Sequence, residues 1–144
     1  MTNKSLLKEV WLIDDAPIDL FINEQLLSAY GFASHFKVFE FAQGALTEFS
    51  KRCDKMLPLP EVIFLDYFMP SIDGLEFLFR LKDLIEDKKT TLEIPKIIML
   101  TTLKEPEKRK NLEQQELVYS IMSKPLTEKA VSELSNSLSS QSAK

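Results

Sequence analysis

At four places in this chain a reactive side chain stands directly after a short apolar run. Val10, Trp11, Leu12 and Ile13 lead into Asp14 and Asp15, and Val62, Ile63, Phe64 and Leu65 lead into Asp66. Ile97, Ile98, Met99 and Leu100 lead into Thr101 and Thr102, and the run from Val118 to Ser123 leads into Lys124 and Pro125. If these runs are parallel strands, three carboxylates, a hydroxyl and an ammonium converge on the edge where open α/β sheets gather their ligand chemistry. Clustered carboxylates repel: at an effective dielectric near 20, an ionised pair about 4 Å apart costs on the order of 4 kcal/mol. Raised carboxylate pKa values relieve part of that repulsion. A hard divalent cation relieves it better, and Mg²⁺ or Mn²⁺ suits a site with few protein ligands and several waters.

The elements that must position these groups alternate along the chain. Strand-like apolar runs are separated by longer stretches of helical spacing, the pattern of a parallel sheet wound with helices, and five such units fit. The spacing predicts a first helix from Pro17, a residue tolerated in an opening turn, to just before Gly31, which suits a left-handed cap. Ile18, Phe21, Ile22 and Leu26 lie about one turn apart on it and Leu20 and Leu27 form a second stripe, and helical spacing alone does not decide which stripe faces outward. Ala33 to Phe39 reads as the second strand, and Ala42 to Lys51 as a short second helix carrying Ala45, Leu46 and Phe49. Pro58 and Pro60 punctuate the approach to strand three. After Asp66, the loop Tyr67 to Asp73 contains Met69-Pro70 and closes at Gly74, from which a third helix with Leu75, Leu78, Phe79 and Leu81 runs to about Asp87. Glu105 to Gln115 is strongly charged and offers a fourth helix only Leu112 as a core anchor. Thr127 suits the cap of a fifth helix with Val131, Leu134 and Leu138 at helical spacing, and the Ser-rich end from Ser135 to Lys144 is expected to fray.

A length of 144 residues fits one hydrophobic core, so a single domain over residues 1–144 is expected, its core at about 8–140, without room for a separate output domain. Hydrophobic residues at 44% and charged residues at 28% are ordinary for a soluble globular chain, and a net charge of −4 argues against a nucleic-acid surface. The basic run Lys108, Arg109, Lys110 lies among Glu105, Glu107 and Glu113 and reads as a solvated helix face. Cys53 is the lone cysteine, which excludes an intramolecular disulfide and a cysteine-based zinc site and fits a reducing compartment. His35, the lone histidine, reads as a strand residue, and Trp11 is expected to pack on the sheet surface. The opening MTNKSLLKEV lacks the apolar segment of a secretory signal, and no stretch approaches the ~18 apolar residues of a membrane span. No membrane insertion and a cytoplasmic location are expected.

Taken together, Asp14, Asp15, Asp66, Met69-Pro70, Gly74, Thr101 and Lys124 resemble the receiver domain of two-component response regulators over nearly the whole chain. The resemblance implies a flavodoxin-like, doubly wound, five-stranded parallel sheet of order 2-1-3-4-5 with helices on both faces and the site between strands one and three. It also implies roles. Asp15, Asp66 and the backbone carbonyl of Phe68 ligate the metal, Asp14 acts mainly through a metal-bound water, and Asp66 is the phosphoacceptor that attacks a phosphohistidine. Lys124 pairs with Asp66 at rest and later with a phosphoryl oxygen, and Thr101 is the switch hydroxyl. A histidine kinase or histidine phosphotransfer protein is the implied donor, docking over the first helix and the Lys124-Pro125 loop, and a downstream protein not named by the sequence reads the change.

Four positions are expected to modulate this behaviour. Ile121 stands where the family's switch has an aromatic residue, and Tyr119, two residues earlier, is expected on the same sheet face about 7 Å further from the site. Thr102 replaces the small residue that usually follows the switch hydroxyl and narrows access. Phe68 and Leu103 flank the path of an attacking water and offer it no hydrogen bond.

Each residue alone has a plainer reading. Asp14 and Asp15 suit a helix N-terminal turn, Asp66 a loop cap, Thr101 a structural strand end and Lys124 an exposed surface position. A pseudo-receiver that binds partners without phosphorylation is the main alternative, and the complete residue set argues against it. A phosphohydrolase of the haloacid dehalogenase type also forms an aspartyl phosphate but needs a second acid two residues after the nucleophile, where this chain has Phe68.

Overall fold

Parallel strands need both faces covered, and the runs that precede the reactive residues are apolar on both faces for that reason. The computed structural model describes residues 5–142. Its strands are β1 (Leu7–Ile13), β2 (Ala33–Phe39), β3 (Val62–Asp66), β4 (Lys96–Thr101) and β5 (Val118–Ser123). They form one parallel sheet in the order β2-β1-β3-β4-β5, as expected. Between and after them run α1 (Pro17–Ala29), α2 (Ala42–Lys55), α3 (Gly74–Lys88), α4 (Pro106–Glu113) and α5 (Glu128–Ser142). No helix among the described residues is long and apolar enough to cross a membrane.

Side chains alternate across each strand and sort the core into two layers. Trp11, Ile13, Ile63, Leu65, Ile97 and Met99 pack with Leu46, Phe49, Phe77 and Leu81 of α2 and α3. Val10, Leu12, Val62, Phe64, Ile98 and Leu100 pack with Leu20, Leu27, Val131 and Leu134 of α1 and α5. Trp11 lies on the sheet face, fully buried, with ring centroids 4.9 Å from Phe39 and 6.5 Å from Phe49. Arg52 of α2 sits 5.2 Å over the indole and pairs with Glu9 of β1 and, at 2.9 Å, with Glu48.

One open choice is decided here and two local expectations are corrected. On α1 the stripe of Leu20 and Leu27 faces the sheet, while Ile18, Phe21 and Ile22 are 73%, 64% and 53% exposed. The chain reverses at Gly31, whose φ of +63° suits glycine, and the amide of the fully buried Phe32 bonds to the Leu27 carbonyl at 3.0 Å. That turn points Leu27 inward and sets the rotation of the helix. Helix α2 runs on to Lys55 because Cys53 continues the buried series Ala42, Ala45, Leu46, Phe49. Helix α5 does not fray at Ser135: Leu134 and Leu138 are buried, and the helix continues to Ser142, with residues 143–144 outside the described part. Thr127 caps it as expected, its hydroxyl accepting from the Ala130 amide at 3.2 Å.

Tyr119 is a further correction. Ile97 pairs with Val118 but Ile98 pairs with Ser120, so Tyr119 is the extra residue of a β-bulge. It turns to the α1/α5 layer, where its hydroxyl meets Ser137 of α5, while Ile121 packs in the α2/α3 layer. The two residues do not share a face.

Candidate functional site

The site follows from register. Ile13 of β1 pairs with Leu65 of β3, so the next residues, Asp14 and Asp66, emerge side by side. Carboxylate oxygens of Asp14, Asp15 and Asp66 all lie within 4.8 Å of one another. Asp14 and Asp66 are buried and Asp15 is exposed. The Ala16 amide donates to Asp14 Oδ1 at 2.9 Å, which fixes that carboxylate as the chain turns into α1. Lys124 is brought in from the far strand: its amide donates to the Thr101 carbonyl at 3.2 Å, and its Nζ donates to Asp14 Oδ2 and Asp66 Oδ1, each at 3.2 Å.

A fourth carboxylate, not singled out in the sequence, belongs to this cluster. Asp19 Oδ2 lies 3.3 Å from Lys124 Nζ. Asp19 sits in the first turn of α1, where an acidic residue is common for dipole reasons, so its type and position carried no separate signal.

Burial raises the Asp66 carboxyl to a pKa of about 6, with the Asp14 charge adding to the rise and Lys124 opposing it. Burial alone depresses the Lys124 ammonium. The charges of Asp66 and Asp14 and its hydrogen bonds to both outweigh that effect and hold its pKa above the ordinary lysine value. Lys124 is therefore a fixed cation, and Asp66 is a carboxylate that holds its proton more tightly than an ordinary aspartate and whose ionised form a further positive charge would favour. The donor set is all carboxylate oxygen, hard and anionic, with Asp15 open to solvent; it fits Mg²⁺ or Mn²⁺ with water completing the shell.

The other expected site residues surround this cluster unequally. Thr101 is fully buried at the end of β4, its Oγ1 accepting from the Leu103 amide at 2.9 Å. Thr102 is exposed beside it. Leu103 is buried and packs in the α2/α3 core layer, whereas Phe68 is 52% exposed. The Phe68 ring meets Tyr67 edge-on at 4.8 Å. Gly74 closes this loop: its amide donates to the Tyr67 carbonyl at 2.7 Å, and a Cβ there would lie 2.8 Å from Met99 Sδ. Arg109 departs from the solvated reading of its basic run. It is half-buried and donates from Nη1 to the Leu103 carbonyl at 3.0 Å.

The sequence pattern of the response regulator receiver domain matches residues 10–135. The chain belongs to the response regulator receiver family. A two-component response regulator from Cytophaga hutchinsonii has the same fold, with a TM-score of 0.80 and 23% identity over 96% of this chain and 99% of the other. A response regulator receiver protein from Dyadobacter fermentans gives 0.71 and 23% over 91% and 97%. A Vibrio cholerae chemotaxis protein gives 0.69 and 20% over 92% and 98%. At these identities the likeness speaks to the fold. No curated protein matches the chain. Receiver domains are signalling modules of two-component systems; they bind Mg²⁺ at an acidic cluster and interact with histidine kinases or phosphotransfer proteins and with downstream partners.

Proposed function

We propose that this receiver accepts a phosphoryl group from phosphohistidine onto Asp66 and signals through altered protein binding, residues 1–144 acting as one module. The observation that carries the reading is Lys124 Nζ bridging Asp66 and Asp14 beside the Asp15 carboxylate, which sets a nucleophile, a fixed cation and a hard metal-ligand set on one sheet edge. Asp14, Asp15, Asp66 and the Phe68 carbonyl are the proposed metal ligands, Asp14 mainly through water. A bound ion would supply positive charge against the phosphoryl oxygens and favour the ionised form of Asp66.

Asp66 is the nucleophile. One of its carboxylate oxygens bonds to phosphorus as the P–N bond to the donor imidazole breaks, and the nitrogen keeps the electron pair. No general base is needed, because the attacking group carries no proton once ionised. Lys124 stays with the incoming charge as a compact ammonium. Thr101 presents the hydroxyl that can turn from the Leu103 amide to a phosphoryl oxygen.

Incubation with Mg²⁺ and acetyl phosphate, followed by mass measurement and mapping, tests the reading. A single acid-labile phosphoryl group on Asp66 is expected, absent in Asp66→Asn and absent when the metal is chelated. Label elsewhere, or undiminished label with chelator, overturns it, and no label at all leaves a phosphorylation-independent binding module.

A further inference from the structure

Beside the acidic cluster lies a cavity of about 470 Å³ lined by Thr102, Leu103, Lys104, Arg109, Ser123 and Lys124. It places the lysine that holds Asp66 and an arginine of α4 around one space. Lys124 is already surrounded by the carboxylates of Asp14, Asp19 and Asp66. Lys104 and Arg109 have no acidic partner among the described residues, and the neighbouring Glu105 is paired with Lys108 at 3.4 Å. Arg109 uses Nη1 on the Leu103 carbonyl and has no other hydrogen-bond partner among the described residues, although a guanidinium carries five N–H donors. Two cations without counter-charge thus border a cavity next to the phosphoacceptor.

We propose that this cavity is an anion subsite for the phosphoryl group carried by Asp66, with Arg109 and Lys104 as ligands added to Thr101 and Lys124. The inference rests on Asp66 being the phosphoacceptor. Phosphorylation brings close to two negative charges and three acceptor oxygens to a place where one lysine already serves three carboxylates. A guanidinium fork is the side chain best shaped to take up such oxygens.

The same subsite supplies a coupling that Ile121, an apolar residue, does not. Leu103 is clasped through both backbone groups, its amide by Thr101 Oγ1 at 2.9 Å and its carbonyl by Arg109 at 3.0 Å. Thr101 and Arg109 would each have to swing toward the phosphoryl oxygens to reach them, so filling the subsite pulls on both ends of this clasp. Helix α4 has eight residues and buries only Leu112, so the Arg109 clasp is a large share of what fixes it. When Arg109 turns to the anion, α4 shifts with it.

The test is binding of beryllium fluoride in Mg²⁺, a tetrahedral stand-in for the phosphoryl group, by calorimetry and by the Arg109 side-chain N–H resonance. Wild type is expected to bind, with that resonance shifted on binding and unshifted in Asp66→Asn. Arg109→Gln should weaken binding about ten-fold, as expected for loss of a charge-assisted hydrogen bond, with partial recovery in Arg109→Lys. Lys104→Gln should weaken it about three-fold, in keeping with an exposed charge. If Arg109→Gln merely lowers the melting temperature while affinity stays within about two-fold and the resonance is unmoved, Arg109 is a loop clasp and the subsite is wrong. Failure of wild type to bind at all, together with no phosphate on Asp66, overturns the phosphoacceptor reading itself.

Discussion

At the scale of single residues, Asp66 sets folding and chemistry against each other. Its carboxyl is raised to about 6 by burial and by Asp14, whereas an unfolded aspartate titrates near about 4. The folded state therefore holds the proton more tightly than the unfolded chain. The resulting stabilisation is full below the unfolded value and is lost as pH rises through about 6. Asp66→Asn has no such proton to lose. In metal-free buffer its stability relative to wild type should rise between about pH 4 and pH 7.5 by up to about 3 kcal/mol, from roughly 1.4 kcal/mol per pKa unit. Denaturant midpoints of both proteins at the two pH values check this, and a difference independent of pH contradicts it.

Phe68 carries the second residue-scale prediction. Its exposed ring offers an attacking water no donor or acceptor, so Phe68→Asn should speed loss of the phosphoryl group about five-fold, near 1 kcal/mol of barrier. The decay of isolated phosphoprotein after donor removal measures it, and equal decay rates exclude a part for Phe68 in water access. Leu103→Glu is not a useful companion, because it puts a carboxylate into the α2/α3 core layer.

At the scale of elements, α1 shows what a sequence leaves open. Both of its apolar stripes satisfy helical spacing, and the choice between them depends on the turn at Gly31 and on Phe32 packing 5.7 Å from Phe64, contacts made by other elements. Strands and their order were legible because each is a short apolar run ending in a reactive residue. The bulge at Tyr119 was not, since one extra residue leaves the composition of β5 unchanged. Asp14, Asp15, Asp66, Thr101 and Lys124 were legible by placement, whereas Asp19 meets Lys124 only through the rotation of α1 and Arg109 reaches the Leu103 carbonyl only through the placement of α4. The exposed stripe Ile18, Phe21, Ile22 lies on α1, which begins at the acidic edge where, on the proposed function, a phosphohistidine would meet Asp66. Phe21→Glu should cut transfer from the cognate histidine phosphoprotein at least about ten-fold, about 1.4 kcal/mol of binding, while acetyl phosphate loading and the melting temperature stay as in wild type. Equal loss with both donors contradicts a docking role.

At the scale of the whole molecule, the acidic edge joins elements that are far apart in sequence. Asp14 and Asp15 follow β1, Asp66 ends β3, Thr101 ends β4 and Lys124 follows β5, so a ligand held there ties the central strands together. A ligand that binds only the folded state stabilises it by mass action, by about 2.7 kcal/mol at a concentration a hundred times its Kd. Mg²⁺ should therefore raise the melting temperature of the entire domain at pH 7.5, saturably, even though the ion touches one edge. Asp15 separates this effect from packing: it is exposed and makes no hydrogen bond among the described residues, so Asp15→Ala should melt close to wild type in chelator. Without that ligand the Mg²⁺-dependent rise should shrink to less than about half. Thermal melts of both proteins across a Mg²⁺ series decide the matter. An equal rise in both would place the ion elsewhere on this acidic chain and remove Asp15 from the metal-binding set, whereas a rise confined to wild type makes the strand-end carboxylates the point at which metal, phosphoryl group and fold are coupled.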